Sequence, residues 1–421
     1  MATTMTNVRI FDGERVTSDS AVRLRGGLIV AVGGPELLEV GDEHVDGAGG
    51  TLLPGLIDAH VHLLSGTPKQ AATFGVTTVL DMFSKPGLVR EAMEQGAGPN
   101  AADVRSSSIG ATAPGGHPSL MYAPFPCVTS PAEAEAFVAD RVAEGATHLK
   151  VLYESGSGGP MMWPSLDVAT VAALVEAGHR AGLKVVAHVT TAQAAMDLLP
   201  TGVDVFAHVP FDRLSDEQVQ AFVDAGVAVI ATLSIADGFP GADGQMALLG
   251  ELTMRPRLGQ AWLEVVKAQG QRWMPPELPD FRVPVDNVRR LREAGVPVLA
   301  GTDAPNPGIV PGASLHRELQ HLVAAGFPPA EALTAATAGT ADVFGLADRG
   351  RVRPGLRADL VLIEGQPDRY ISDTQHVAAV WKQGERVDLD GFVGSEDEAA
   401  GLTMLREMTD KVIAAFKEYV Q

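Results

Sequence analysis

Two histidines separated by one residue, His60 and His62, close an apolar run of the chain. Side chains alternate between the two faces of a β-strand, so these imidazoles share one face while Val61 points to the other. Two neutral imidazoles at the end of a strand can bind one divalent cation. The pair alone is weak evidence, because His pairs also occur on solvated strand faces, and a metal site needs further ligands.

Four further short apolar runs each end in a group that could belong to such a site. These runs close on Lys150, His188, His208 and Asp303. Short apolar runs bounded by turn residues are typical of buried strands. Five strand ends that all offer metal-type groups rarely arise by chance, so the sequence predicts that these ends meet at one metal site.

The stretches between these residues alternate between strand and helix patterns. Strands are predicted over 52–60, 76–82, 104–110, 146–152, 184–189, 203–209, 226–232 and 296–302. Ser130 and Ser215 are each followed three residues later by Glu or Gln and predict capping boxes at two helix starts, while Gly182 predicts a helix end. Eight βα units indicate an α/β fold, a (β/α)8 TIM barrel, whose active site lies at the carboxyl ends of the strands.

Both chain ends carry β patterns of another kind. Apolar runs at 8–11, 21–25 and 28–32 are separated by Asp-Gly and Gly-Gly turns, and similar runs follow at 358–363, 377–381 and 385–388. We expect the two ends to build one small β-sandwich domain.

The expected domain boundaries follow from these patterns. Residues 1–53 are the N-terminal part of the β domain, 54–353 are the barrel with an insertion at about 233–282, and 354–421 are the C-terminal part with a final helix. The amphipathic tail 396–420 is expected to pack against the barrel or a second subunit, with a functional role as the alternative.

Composition excludes several classes of protein. The 421 residues carry a formal net charge of −20, which disfavours binding to nucleic acid or to an anionic membrane. Cys127 is the only cysteine, so an intrachain disulfide and a multi-thiolate zinc site are excluded. The first residues lack a basic segment followed by an apolar run. We expect a cytoplasmic protein that acts on a small molecule, and homo-oligomers remain open.

The set of strand ends resembles the amidohydrolase superfamily of metal-dependent hydrolases. The resemblance rests on residues 54–62, Lys150, His188, His208 and 301–303, and on 350–362, which resembles the family's return into its small β domain. Within the superfamily the chain looks most like the imidazolonepropionase-like and Xaa-Pro dipeptidase-like groups, and Lys150 favours the two-metal dipeptidase-like type. Thr190 departs from this pattern, because the group's carboxylate-binding dipeptidases are expected to carry a tyrosine there, which argues against recognition of a free carboxylate.

The resemblance implies two divalent ions, most simply Zn²⁺, with Mn²⁺ or Co²⁺ as alternatives. The implied ligands are His60, His62, Lys150, His188, His208 and Asp303. His60, His62 and Asp303 would bind the first metal, and His188 and His208 the second. A lysine ammonium offers only donors, so Lys150 would bridge the metals as a carbamate formed with carbon dioxide. Asp303 would also accept and deliver the proton during hydrolysis.

Substrate contacts are less well defined. His117 closes a Gly-rich loop, 113–117, that resembles a loop of the dipeptidase-like group in which the histidine faces the substrate. Tyr153 is a second candidate contact. The insertion is far longer than an ordinary βα loop, and it is either an extra helix packed on the barrel or an apolar wall over the substrate, with Trp262 and Trp273 as contacts. Asp58 is either a partner of the metal ligands or a structural carboxylate.

These features predict a binuclear metal-dependent hydrolase. The expected reaction is cleavage of an amide or peptide-like C–N bond in a small substrate with an apolar or aromatic group. Hydrolysis of a lactone, an ester or a carbamate is the alternative chemistry for the same site. An assembly or binding protein without catalysis is the alternative of another class, but such a member would be expected to have lost ligands, and this chain keeps all six.

Overall fold

The computed structural model of the protein describes residues 2–154, 163–241, 245–272 and 280–420. The six N-terminal strands are β1 (Thr3–Thr6), β2 (Arg9–Ile10), β3 (Ala21–Arg25), β4 (Leu28–Gly33), β5 (Glu43–Asp46) and β6 (Thr51–Pro54). Strands β2, β3 and β4 confirm the predicted N-terminal runs, whereas β1 and β5 were not predicted.

Eight parallel strands follow, and every predicted strand of the alternating region is present. They are β7 (Leu56–Val61), β8 (Val76–Asp81), β9 (Asp103–Ser106), β10 (His148–Leu152), β11 (Lys184–His188), β12 (Val205–Ala207), β13 (Ala228–Ile230) and β14 (Val298–Leu299). Strands β7 to β9 form one sheet and β10 to β14 form another, each in sequence order. All their carboxyl ends therefore point the same way within each sheet.

Hydrogen bonds join these two sheets at both of their edges. His62 N donates to Ala304 O at 2.7 Å, beyond the end of β14. At the other edge, Ala111 N donates to Lys150 O at 2.8 Å. Parallel bridges pair Val61 with Ala304 and Ala111 with Val151. The strand ends that carry the candidate ligands consequently lie at one common edge.

The predicted strand 52–60 is two strands that belong to different sheets. The break falls at Gly55, between β6 and β7. A Cβ atom on Gly55 would lie 2.1 Å from Thr77 Oγ1, so only glycine allows the chain to pass so close to β8. The apolar run hides this change of sheet, because both halves are fully buried.

Thirteen α-helices lie within the described ranges. They are α1 (Thr67–Thr73), α2 (Pro86–Gly96), α3 (Ser119–Tyr122), α4 (Ala134–Ala143), α5 (Val168–Arg180), α6 (Ala192–Leu198), α7 (Asp216–Ala225), α8 (Arg255–Arg272), α9 (Arg282–Glu293), α10 (Ala313–Ala324), α11 (Pro329–Ala335), α12 (Ala338–Val343) and α13 (Glu396–Val420). No helix in the described part of the chain is long and apolar enough to cross a lipid bilayer.

The predicted helix ends are confirmed at two of three places. Ser215 forms the predicted capping box with Gln218 at the start of α7. Gly182 follows α5 with a φ of 75°, as expected for a glycine beyond a helix end. The prediction for Ser130 is wrong, because its side chain makes no capping bond. Instead, the Glu133 carboxylate accepts from Thr129 N at 2.8 Å and from Thr129 Oγ1 at 2.7 Å.

The two chain ends pair with each other, as predicted. The last strands are β15 (Leu360–Ile363), β16 (Val377–Lys382) and β17 (Glu385–Arg386). Strand β15 pairs antiparallel with β6, which pairs parallel with β2. A second sheet has the order β4-β3-β1-β5. Leu24 of that sheet and Leu52, Leu360 and Trp381 of the first belong to one buried apolar cluster, so apolar burial holds the two sheets together.

Alternation along the parallel strands decides which side chains can reach the site. In β11, Val185 and Ala187 belong to the large cluster beneath the helices, whereas Val186 belongs to an inner cluster. His188 therefore shares the inner face with Val186. In β10, Val151 packs in the outer cluster, which leaves Lys150 on the inner face.

Candidate metal centre

Asp303 lies at the centre of the predicted ligands. Its Oδ1 atom is 3.3 Å from His60 Nε2 and 3.1 Å from His62 Nε2. Its Oδ2 atom is 3.9 Å from His208 Nε2. The ligand atoms of His60, His208 and Asp303 all lie within 4.8 Å of one another. The structure therefore brings together side chains that the sequence assigned to two different metals.

Two of these residues have an unusual backbone conformation. His208 and Asp303 have φ angles of 77° and 59°, in the left-handed region that residues other than glycine rarely adopt. Hydrogen bonds hold both in place: Asp303 N donates to His60 O at 2.8 Å, and His208 Nδ1 lies 2.8 Å from Thr232 Oγ1. Residues in such strained conformations are common at functional sites, where many surrounding contacts hold the backbone in place.

Lys150 faces the same space from β10. Its Nζ atom is buried and has no hydrogen-bond partner in the described structure. Burial lowers the pKa of Lys150 from 10.5 to about 7, because an ammonium is poorly solvated there. A buried amine without a partner is costly, so this position favours a neutral or chemically modified lysine.

His188 lies beside the centre but turns towards a carboxylate. Its ring centroid is 4.9 Å from that of His208, and its Nε2 is 2.9 Å from Glu154 Oε1. Thr190 Oγ1 donates to Glu154 Oε2 at 2.6 Å. Sequence reasoning missed Glu154, and the available signal was its place two residues beyond the end of β10, at the edge where the ligands meet.

Asp58 contacts the backbone of the ligand-bearing segments rather than their imidazoles. Its Oδ1 accepts from Thr302 N at 2.9 Å and from His60 N at 3.2 Å, and its Oδ2 accepts from Thr302 Oγ1 at 2.7 Å. Burial raises the pKa of Asp58 to about 7. The carboxyl group thus joins the segments that carry His60 and Asp303.

The side chains of the predicted ligands line a cavity of about 330 Å³. Its outer walls are apolar and include Leu120, Met121, Trp163 and Phe211. Tyr122 also lines the cavity and stacks on Phe83, with 5.3 Å between ring centroids. A small and mostly apolar cavity above polar groups is typical of a small-molecule site.

His117 lines this cavity, as the sequence predicts for a substrate contact. Its ring stacks on His188 with 4.9 Å between centroids, and it lies edge-on to Trp163 at 6.0 Å. Burial lowers the pKa of His117 well below its ordinary value, so the imidazole is neutral and offers one donor and one acceptor.

Two other predicted substrate contacts, Tyr153 and Trp262, lie elsewhere. Tyr153 does not line the cavity, because its hydroxyl donates to Asp197 Oδ2 at 2.8 Å. Trp262 is buried in an apolar cluster with Leu402 and Leu405. The predicted contact between Trp262 and the substrate is therefore wrong, and the alternative of a helix that packs on its neighbours holds at this residue. Trp273 lies outside the described residues. The insertion reaches the cavity, as one of its two predicted alternatives requires, but through Ile235 and Gln269. Helix α13 reaches the cavity as well, which was not predicted.

The amidohydrolase family model matches residues 51–387. The chain belongs to the amidohydrolase family, as its strand ends predicted. This membership makes it a hydrolase that acts on C–N bonds. The imidazolonepropionase of Salinispora arenicola is 25% identical, over 87% of this chain and 92% of the relative. The imidazolonepropionase of Rubrobacter xylanophilus is 30% identical, over 88% of this chain and 91% of the relative.

A solved structure shares the fold. The crystal structure of a Xaa-Pro dipeptidase matches with a TM-score of 0.71 and 22% identity, over 92% of this chain and 100% of that chain. This likeness fits the predicted TIM barrel, with the carboxyl ends of the strands as the place of the site.

Proposed function

We propose that this amidohydrolase uses two divalent metal ions to cleave an amide or peptide-like C–N bond in a small substrate with an apolar or aromatic group. The proposal depends most on Lys150, whose buried amine has no partner beside the ligand-type side chains. A salt-bridged structural lysine would have an acidic partner within bonding distance, and none is present in the described structure. Family membership supports the same chemistry.

The donor set suits divalent cations. His60 Nδ1 and Lys150 Nζ are buried without hydrogen-bond partners among the described residues. Imidazole nitrogens with a carboxylate oxygen are ligands that zinc prefers, and manganese and cobalt accept them as well. We assign His60, His62 and Asp303 to one ion, and His188 and His208 to the other.

A carbamate on Lys150 would complete this set. The neutral amine forms a bond to the carbon of carbon dioxide and releases one proton, which yields a carboxylate-like group with two oxygen ligands. A pKa of about 7 leaves much of the amine neutral near neutral pH. Lys150 is therefore prepared for this reaction, and its two new oxygens could bridge a pair of cations.

The protein's own residues would carry the proton and position the substrate. When bound, the metal ions would polarise the scissile carbonyl and lower the pKa of a water molecule. Asp303 would accept the proton of that water and deliver it to the leaving nitrogen as the C–N bond breaks. Neutral His117 would hydrogen-bond the substrate, and the apolar walls would exclude bulk water.

Several structural assignments remain part of this proposal. We infer that the two parallel sheets form a closed (β/α)8 barrel over 54–353, supported by the hydrogen bonds at both of their edges. The two sheets from the chain ends would form a β-sandwich through their shared apolar cluster. Cytoplasmic location, homo-oligomers and a substrate contact by Trp273 remain predictions.

Elemental analysis of protein purified without a chelator tests the proposal. We expect about two equivalents of zinc, manganese or cobalt per chain. The same sample should hydrolyse members of a panel of N-acyl amino acid amides and dipeptide amides, which carry no free carboxylate. Activity only towards lactones, esters or aryl carbamates would move the reaction to the alternative chemistry. An active sample with a metal content near zero would contradict the metal centre itself.

A further inference from the structure

Two segments from outside the ligand-bearing strands reach the same cavity. The helix α8 of the insertion contributes Gln269, and the C-terminal helix α13 contributes Leu405, Met408 and Thr409. We propose that Gln269 and Met408 form a specificity subsite for the non-reacting part of the substrate, which would be an apolar group that carries a neutral hydrogen-bond acceptor. The reaction at this site rests on the proposed function, whereas the binding preference does not.

Gln269 lines the cavity and carries a buried donor without a partner. Its Oε1 atom accepts from Gly308 N at 3.0 Å, which fixes the orientation of the amide. Its Nε2 atom has no hydrogen-bond partner in the described structure. Only 5% of the residue is exposed, so bulk water does not readily supply a partner either. Buried donors are nearly always satisfied in folded proteins. A ligand oxygen in the cavity would satisfy this one.

Close packing holds Gln269 in place relative to Asp303. Gly308 has a φ of 75°, and a Cβ atom there would lie 2.3 Å from Met246 Cε and 2.8 Å from Asp237 O. The loop between Asp303 and Gly308 therefore lies directly on the insertion. Within the loop, Asn306 Nδ2 donates to Asp303 O at 2.8 Å. The unused amide donor is thus held by the same loop that begins at the central carboxylate.

The start of α13 is anchored beside the other ligands. A Cβ atom on Gly401 would lie 2.5 Å from Ser65 O, so the helix lies directly on the loop that follows His62. Leu402 is buried in an apolar cluster with Trp262 of α8. The following turns bring Met408 and Thr409 to the cavity wall. The tail therefore closes the substrate cavity in addition to packing on the barrel.

The charge of the lining limits what this subsite can bind. Among the described lining residues, Lys150 and Asp303 are the only ones with an ammonium, guanidinium or carboxylate group, and both belong to the proposed metal centre. A charged group at the far end of the substrate would lose its hydration without gaining an ionic partner. A carbonyl or ether oxygen would instead pair with Gln269 Nε2 while its apolar neighbours contact Met408.

The test compares two neutral probes of similar size on metal-free protein. N-(1-Naphthyl)acetamide offers a carbonyl acceptor, and 1-propylnaphthalene offers none; binding is followed by probe fluorescence. Gln269→Met should weaken the acetamide about 10-fold, as expected for one lost hydrogen bond, and leave the hydrocarbon within about 2-fold. Met408→Ala should weaken both probes by roughly 5-fold, because apolar contact is lost.

Matched controls lie on the same two helices. Gln260 is exposed on α8, and Met404 lies on α13 but does not line the cavity, so Gln260→Met and Met404→Ala should bind both probes as the wild type does. Equal effects in variant and control, or no binding of either probe to the wild type, would overturn the subsite. Thermal unfolding identifies a variant that has lost its fold.

The outcome also separates the two proposals. Probe discrimination, combined with no metal and no hydrolysis in protein purified without a chelator, would support the subsite and refute the metal hydrolase. Hydrolysis with full metal content and no effect of Gln269→Met on either probe would do the reverse.

Discussion

Removal of the Asp58 carboxylate should weaken both the fold and the proposed metal centre. In Asp58→Ala, the backbone N–H groups of His60 and Thr302 lose their acceptor. The Thr302 hydroxyl keeps a longer contact of 3.4 Å with His60 O, so its loss is partly offset. The two segments that carry His60 and Asp303 would then be held by fewer hydrogen bonds, with Asp303 N to His60 O among those that remain.

The structure sets the size of this effect. A buried donor left without a partner costs about 1–3 kcal/mol, so two such groups should lower the free energy of unfolding by about 2–6 kcal/mol. Total stabilities are about 5–15 kcal/mol, which makes this a large fraction. Asp58→Asn is the matched control, because its Oδ1 can still accept from both backbone groups and its Nδ2 can donate to the Thr302 hydroxyl.

The same pair of variants predicts a pH dependence for metal-free protein. Burial raises the pKa of Asp58 from 3.8 to about 7, so folding favours its protonated form. The stabilising contribution is complete below about pH 4 and is lost as the pH rises through about 7. This rise in pKa, by about three, corresponds to a loss of at most about 4 kcal/mol in the free energy of unfolding. Asp58→Asn stays neutral and should lack this slope.

Thermal and urea unfolding of the chelated proteins between pH 4 and 8 would measure both effects. We expect Asp58→Ala to be the least stable near pH 4, and both variants to gain on the wild type as the pH rises, because neither carries the carboxyl group. Equal stability of Asp58→Ala and wild type near pH 4, or the same pH slope in Asp58→Asn and wild type, would refute the role given to this carboxylate.

Three further predictions concern the centre itself. Lys150→Ala should lose metal and activity together, as measured by elemental analysis and turnover, and a short carboxylic acid in solution should partly restore both; full activity would show that no bridge is needed. Asp303→Asn should lower kcat by at least about 100-fold, in line with general-base catalysis, and a value within a few-fold of wild type would place the base elsewhere. Glu318 accepts from Leu233 N at 3.1 Å and Ser234 N at 2.6 Å, directly after Thr232, which contacts His208. Glu318→Ala should therefore lower the melting temperature and weaken metal binding in a chelator competition. Unchanged values would show that other contacts hold the segment 232–234 in place.

The positions of the proposed metal ligands could be predicted because their signal is local. Each ligand follows a short buried run, and alternation along that run decides which face the side chain takes. The imidazoles of His60, His62 and His208 accordingly each have a nitrogen within 4 Å of the Asp303 carboxylate. The turn of His188 towards Glu154 could not be read in the same way, since it depends on a residue brought near by the neighbouring strand.

The strand boundaries were less predictable than the strands. Residues 107–110 were expected to continue β9, but the strand ends at Ser106. Gly55 separates two strands that one unbroken apolar run appeared to join, because periodicity reports burial and not the sheet in which a residue is buried. The pairing of the two chain ends could be predicted from the sequence, because neither end alone has enough apolar strands to cover a core.

Gln269 and Met408 lay beyond sequence reasoning for a different reason. The amphipathic tail predicts a helix with one buried face, but periodicity does not say what that face covers. Trp262 and Trp273 were favoured on residue type, yet burial of Trp262 against Leu402 is an equally good use of a large apolar side chain. A glutamine in a helix gives no local sign that one of its amide atoms will be buried without a partner.

The proposed metal ligands and the proposed specificity subsite lie on different parts of the fold, which explains why the sequence predicts the first and not the second. The proposed ligands lie at the ends of strands in two parallel sheets that hydrogen bonds join at both edges. The proposed specificity subsite instead lies on an insertion and a terminal helix that pack through side chains. Substitutions at Gln269 or Met408 can therefore alter the preferred substrate without moving His60 or Asp303. If the subsite is correct, relatives that share the ligands should differ in substrate wherever these two segments differ, and the family assignment alone fixes the reaction class but not the molecule that is hydrolysed.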